Sequence, residues 1–203
     1  MTTALKYVRS TLVAFVICIS GVSNAPAATT WKIDASHSKI IFTVTHMVIN
    51  EVSGWFAEFE GNLTQPGDAD FNGSSILVHI KTASVNTGSD GRDQHLRGPD
   101  FFEAEKFPVV TFTATRFKKI NDNDYDVTGT LDLHGVSKPV QLQARFNGTV
   151  KDGRGNVHAG FKATTTFLRS DYGLTWTKTL ETGGVLVSDK VDMTVNMELV
   201  KVP

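Results

Sequence analysis

The sequence predicts an all-β fold of about eight antiparallel strands, a sandwich or an up-and-down barrel, with one short helix or lid between strands. Three observations predict it. Apolar and polar residues alternate over nearly every segment, the two-residue period of a strand with one buried face. Clusters of Gly, Asn, Asp and Pro interrupt the alternation at short intervals, as hairpin turns do. Only Asp90 to Arg97 could be helical for more than a turn or two. Closure into a barrel is favoured, because a closed sheet leaves no edge free to pair with another chain.

The first 27 residues are set aside as a secretory leader. Lys6 and Arg9 form a basic start, Thr11 to Ile19 is a short apolar run, and Ala25-Pro26-Ala27 offers a small-x-small cleavage site. The run falls short of the ~20 residues of a spanning helix. The remaining 176 residues, from Ala28 to Pro203, form one domain with a core it can bury unaided. The single cysteine, Cys18, lies in the leader, so the domain has neither disulfides nor thiol chemistry, which suits a bacterial periplasm better than a small secreted scaffold. Without Lys6 and Arg9 the formal charge is −3. That balance gives no electrostatic footprint for nucleic acid or anionic headgroups.

Trp31-Lys32-Ile33-Asp34 starts the fold, and Ser38 to His46 puts Ile40, Phe42, Val44 and His46 on one face. In Gly54 to Leu63, Trp55, Ala57, Phe59 and Leu63 share one parity and Phe56 the other, which requires a bulge or a strand apolar on both faces. Gln65 to Ser74 is rich in turn formers. Ser75 to Thr82 follows, with Ile76, Val78 and Ile80 inward, and Val109 to Arg116 with Val110, Phe112 and Ala114 inward. Tyr125 to His134 presents Tyr125, Val127, Gly129, Leu131 and Leu133. The next strand presents Val140, Leu142, Ala144, Phe146 and Val150, and the seventh Ala159, Phe161, Ala163, Thr165 and Phe167. After a long connection from Leu168 to Gly184, the last strand presents Val191, Met193, Val195, Met197 and Leu199.

The strand pattern gives way between Ser84 and Thr115. There a Gly-rich turn leads into the charged cluster Arg92 to Arg97 and then to Phe101, Phe102 and Phe107, closed by Pro108. The rings must be covered while the charges stay wet or paired, so the segment reads as a lid or end-cap. It either corks one end of the core or guards a cavity.

Catalytic constellations are missing from the sequence: it holds no G-x-S-x-G, P-loop, G-x-G-x-x-G or H-E-x-x-H pattern. The six histidines have no helical ligand spacing, and no metal site is assigned, although His37, His46 or His95 could meet other ligands once strands converge. What stands out is an apolar, ring-bearing inward set: Phe42, Val44, Ile76, Val78, Phe112, Leu131, Phe146, Phe161, Val195 and Met197. An eight-stranded barrel is wide enough either to be filled by its side chains or to hold one small ligand. Gly54, Gly61, Gly129, Gly148 and Gly160 fall within strands, and the space beside them is expected to admit an apolar chain.

Short motifs in a fixed order carry a family resemblance. They are Asp34-Ala35-Ser36-His37-Ser38, Phe42 to His46, Gly54-Trp55-Phe56, Ser84 to Thr87, Arg92-Asp93-Gln94-His95-Leu96, Asp100-Phe101-Phe102, Phe107-Pro108, Thr111-Phe112, Gly129-Thr130-Leu131, Gly135 to Lys138, and Arg169 to Leu174. Together they resemble the YceI-like family over essentially all of the chain after the leader. The resemblance implies an extended, lipocalin-like eight-stranded barrel in the periplasm that binds a polyisoprenoid or other long-chain amphiphile, with an isoprenoid quinone as one such cargo. It implies no cofactor beyond that lipid and no shared catalytic motif. By analogy it implies a membrane cytochrome of the b561 type as partner. Arg92, Asp93, His95, Phe101, Phe102, Arg169, Asp171 and Tyr172 enter as lid or mouth residues. Tyr172 replaces the family's usual Phe and adds a hydroxyl for a polar headgroup, and Met47-Val48-Ile49-Asn50 departs from a small-residue turn. The alternative is an enzyme or stress-linked factor acting on the same kind of chain, which would need a fixed acid or base beside the reacting atom.

Overall fold

The structure, a computed structural model, describes residues 27–67, 69–181 and 183–203. Apart from Ala27, the expected leader lies outside the described residues. The strands are β1 (Thr29–Ile33), β2 (Lys39–His46), β3 (Asn50–Phe56), β4 (Phe59–Gln65), β5 (Ser75–Lys81), β6 (Val85–Asn86), β7 (Val109–Lys119), β8 (Asp124–Leu133), β9 (Val136–Lys151), β10 (Val157–Leu168) and β11 (Val187–Lys201). The α-helix α1 spans Asp90–Arg97, the segment singled out from the sequence.

Three pairs of these strands are halves of interrupted rows: β1 with β2, β3 with β4, and β5 with β6. Counted as rows, the sheet is a closed antiparallel barrel of eight. Closure falls on β11. One of its edges pairs with β10 along its length, while the other takes β1 and β2 end to end, with Leu199 opposite Ile33 and Val195 opposite Ile40.

Two bulges and one break decide which side chains face inward. Ala57 and Glu58 interrupt the second row, and their N–H groups donate to Ser84 O (3.0 Å) and Ser84 Oγ (3.0 Å). The break resets the parity, so Phe56 and Phe59 are both buried, while Trp55 lies half-exposed under Lys39 Nζ, 4.4 Å from the ring centroid. Trp55 and Ala57 therefore do not share the inward face of Phe59. In β9, Gly148 lies opposite Gly160 and Phe146 opposite Phe161, leaving Asn147 as the extra residue. Val150 is thereby turned outward and is 66% exposed, against the sequence expectation. A bulge at Thr115 of β7 brings Phe117 inward.

One end of the barrel is stoppered from a loop that reads in sequence only as a turn. Phe71 is buried there against Trp31 (5.6 Å between ring centroids), Phe146 (5.2 Å) and Phe161 (4.9 Å). Trp31 Nε1 donates to Gln65 Oε1 (2.8 Å), and Gln65 Nε2 donates to Asp70 O (3.0 Å), so the polar groups of Trp31 and Gln65 under this aromatic stopper are partnered. The opposite end carries α1, the Phe101 segment and the connection from β10 to β11.

Candidate ligand-binding cavity

A cavity of ≈ 370 Å³ lies in the barrel between these two ends. Its size falls in the range of small-molecule sites. Its deep end is walled by Leu63, Phe117 and Leu199, and its middle by Val78, Phe112, Leu131, Leu142, Met193 and Val195. At the mouth it reaches Arg92 and His95, both exposed, with Phe101, Phe102 and Trp176 beside them. Side chains in a filled barrel would be shut off from space. Here Phe112, Leu131, Leu142, Met193, Val195 and Met197 point inward and yet stay only half-buried. The lumen is wider than its own side chains fill.

Of the inward set read from sequence, Phe42, Val44, Ile76, Val78, Phe112, Leu131, Phe161, Val195 and Met197 line the cavity. Phe146 does not, because it is spent on the stopper, packed on Phe71 and Phe161. The expectation that strand glycines leave room for a chain fails at Gly54 and Gly129. A β-carbon at Gly54 would collide with the Phe42 ring, and one at Gly129 would lie 2.9 Å from the Ala114 β-carbon. That space is taken by neighbouring strands and is not part of the lumen.

The mouth segment is held from behind by its own hydrogen bonds. Asp93 is buried and accepts from Thr87 N–H (2.8 Å) and Thr87 Oγ1 (2.5 Å), tying the loop before α1 to its first turn. It is thus a brace beneath α1, not a mouth residue. Arg92 Nε donates to Thr87 Oγ1 (2.7 Å) and its Nη2 to Thr87 O (3.0 Å). Arg97 fastens the other end of the helix through Ala83 O (2.7 Å) and Val85 O (2.9 Å). Above them His95 pairs with Asp100 (2.8 Å) and packs edge-on against both Phe101 and Trp176, each at 5.0 Å. Phe102 reaches across to Phe56 (5.7 Å). Phe101 and Phe102 thus form the inner surface of the lid, while Phe107 packs on His134 (4.5 Å) away from the lumen.

Arg169 lines the cavity and is buried with its guanidinium on main-chain carbonyls: Nη1 to Leu174 O (2.6 Å), Nε to Ser188 O (2.9 Å) and Nη2 to Val187 O (3.4 Å). Burial lowers its pKa from the usual arginine value, opposed by the nearby charge of Asp189. It clamps the connection from β10 to the start of β11. Two neighbours depart from the mouth role expected of them. Asp171 is exposed and bonded by Lys138 Nζ (2.9 Å). Tyr172 is only 1% exposed, packed edge-on against Phe167 (5.3 Å) and off the cavity, so its hydroxyl does not face a headgroup. Burial also raises its pKa. Trp176, Leu174 and Leu186 were not singled out as lining residues; they come from a connection without strand periodicity, so no pattern marked them.

Strand convergence does unite His37 with Asp34 and Glu198 at the stoppered end, with ligand atoms within 4.8 Å of one another. The group is already engaged internally. Ser36 Oγ donates to Asp34 Oδ1 (2.6 Å), and His37 Nδ1 lies 2.9 Å from Asp34 Oδ2. His46 and His95 stand at the cavity instead.

Comparison with known proteins agrees with this architecture. The YceI-like domain matches residues 31–199. A UPF0312 protein of Pseudomonas putida (strain W619) is 36% identical over 176 residues, covering 86% of this chain and 88% of the relative. The crystal structure of the Campylobacter jejuni YCEI protein is similar at a TM-score of 0.64 and 34% identity, over 76% of this chain and 87% of that one. A polyisoprenoid binding domain from Saccharophagus degradans, implicated in plant cell wall breakdown, shares the fold at a TM-score of 0.59 and 22% identity, over 83% and 97% of the two chains. With the match running from the first strand of the barrel to the last, the chain belongs to the YceI-like family.

Proposed function

We propose that the protein is a carrier that holds a long-chain amphiphilic lipid, of polyisoprenoid type, in the barrel lumen. The observation that carries this is the half-exposure of inward side chains around an apolar cavity that opens only at the mouth. Burying about ten methylenes there, at ~0.8 kcal/mol each, gives a gross gain of roughly 8 kcal/mol, enough for useful binding before association costs are deducted. In this reading Phe42, Val44, Ile76, Val78, Phe112, Leu131, Phe161, Val195 and Met197 hold the chain. Arg92, His95, Phe101, Phe102 and Arg169 form the mouth. The polyisoprenoid binding domain from Saccharophagus degradans supports the ligand class through its shared fold.

An isoprenoid quinone as cargo, a b561-type membrane cytochrome as partner and residence in the periplasm complete the proposal. The family resemblance supports the first two. The basic start and apolar run of residues 1–27 support the third. The alternative, an enzyme acting on the same chain, requires an acid and a base at the lumen. The titratable groups lining the cavity among the described residues are Arg92, Arg169, His46 and His95, with no carboxylate among them. Both histidines stand at the mouth and the middle of the lumen is apolar, which favours retention over turnover.

Native mass spectrometry of protein recovered from an exporting host, followed by organic extraction, tests the reading. A stoichiometric long-chain lipid released on extraction is expected, with a mature N-terminus near Ala28 by sequencing. Protein that is folded yet carries no lipid, and takes none up from an isoprenoid quinone solution, would reject the carrier. Chemical conversion of the added lipid would favour the enzyme.

A further inference from the structure

The hairpin joining β2 to β3 turns through Met47, Val48 and Ile49, which are 43%, 63% and 85% exposed. Met47 (φ 51°) and Val48 (φ 67°) both take the left-handed conformation. Such positions ordinarily go to Gly or Asn, and a β-branched residue there is a rare and costly choice. No burial offsets the cost. Turns at the stoppered end follow the ordinary rule, with Asn121-Asp122-Asn123 and Asp152 to Asn156 polar throughout.

This apolar tip stands at the cavity mouth. His46 and Val52, just before and after it, line the cavity. Met47 N–H donates to Leu186 O (2.9 Å), and Leu186 lines the cavity as well. Val48 lies so close to Gly184 that a β-carbon there would meet its Cγ2 at 3.0 Å, and the adjacent Val185 is itself exposed. The apolar surface is therefore continuous from the lumen to the outside at this point of the rim.

We propose that Met47, Val48 and Ile49 form a membrane-docking wedge that seats the mouth on a phospholipid bilayer, so that cargo passes between bilayer and lumen without crossing water. The inference rests on the carrier reading. A stable protein partner would need about 800 Å² of surface on each side, more than three side chains on one hairpin tip present. A bilayer needs no such area: the apolar tip enters the acyl boundary while the flanking His46, Asn50 and Glu51 stay among headgroups. The attraction is apolar and is expected to change little with salt.

The test uses the exported, processed protein and vesicles of neutral phosphatidylcholine. A polarity-sensitive fluorophore is attached at Ile49→Cys, with a control at Asn121→Cys on the stoppered end. Vesicles should shift emission to the blue from position 49 only. Val48→Asn suits the left-handed conformation at that position and Ile49→Asn replaces a side chain that is 85% exposed, so the double variant should fold at least as well. It should lower vesicle partitioning, and slow transfer of a fluorescent fatty acid to vesicles, by roughly tenfold or more. Its affinity for that fatty acid without vesicles should be unchanged. A water-like signal at position 49, or a double variant that partitions and transfers like the parent, would overturn the wedge. If the parent bound neither fatty acid nor isoprenoid quinone, the carrier reading would fail, while the fluorophore would still decide docking.

Discussion

Filling the lumen from within separates a ligand cavity from a packed core. Ala163 lies midway along β10, opposite Ala144 of β9 and Val195 of β11, and it lines the cavity. In Ala163→Phe the added ring must enter that space. A cavity of about 150 Å³ accommodates a benzene ring, so the substitution removes roughly two-fifths of the ≈ 370 Å³ present. If a chain of about ten methylenes fills the lumen, about four are displaced, a loss of roughly 3 kcal/mol and on the order of a hundredfold in affinity. Folding stability should hold or rise, since the ring covers half-exposed apolar surface. In an already packed interior the same insertion would cost about 1–3 kcal/mol by overpacking. Fluorescent fatty-acid titration beside urea unfolding reads both quantities. A lowered unfolding midpoint with undiminished fatty-acid affinity would refute the reasoning, because the ring would then be displacing protein and not ligand.

Phe101→Ala combined with Phe102→Ala should speed release of a fluorescent fatty acid by roughly tenfold or more while costing less than the 3–5 kcal/mol per ring of a true core position, since both rings sit on the lid. Stopped-flow release and urea unfolding check this, and full core costs with unaltered release would make the segment a plug. Arg169→Leu should cost about 2–4 kcal/mol in urea unfolding, because the buried Leu174 carbonyl and the half-buried Ser188 carbonyl lose their donor. The pH profile follows from the stoppered end. His37 is raised above 6.5 chiefly by its hydrogen bond with Asp34, and His158 by those with Asp152 and then Glu198. Their stabilisation is complete below 6.5 and is lost as pH rises through the raised folded values. Asp34 is lowered to about 2, first by Ser36 and then by His37, so its contribution is present above 3.8 and lost as pH falls toward 2. Thermal unfolding should show the highest Tm between about pH 4 and 6.5, and His158→Gln should flatten the alkaline decline.

Alternation alone made most of the barrel legible. Every row has its strand in the sequence reading, and α1 coincides with the one segment read as helical. What escaped has specific causes. Val150 and Phe117 were misplaced or missed because a bulge adds one residue and reverses parity, and a two-residue period cannot announce that reversal. Phe71 was missed because its neighbours Asp70, Asn72 and Gly73 are turn formers, and only the closed barrel shows that the turn drops a ring into its end. Among the mouth residues, sequence identified the charged cluster but could not tell a brace such as Asp93 from a lining group such as His95. Both lie on the same short helix, and the hydrogen bond from Thr87 decides between them.

The sharing of β11 between three neighbours bears on how the chain reaches this structure. β10, β1 and β2 all dock on β11, the last strand described, and beyond its end Val202 N–H still donates to Thr30 O (2.8 Å). The ribosome releases β11 after every strand it pairs with. Until it emerges, the first rows have one edge unpaired and the barrel stands open along a full seam. Pairing the two ends of the chain demands contacts of very large sequence separation, which places the fold among slow folders, on a scale of milliseconds to seconds. During that interval the apolar faces later enclosed in the lumen are open sideways to water or to lipid. The closing seam thus sets a window in which the nascent protein is at its most prone to aggregate, and in which a long chain need not thread the mouth to be enclosed.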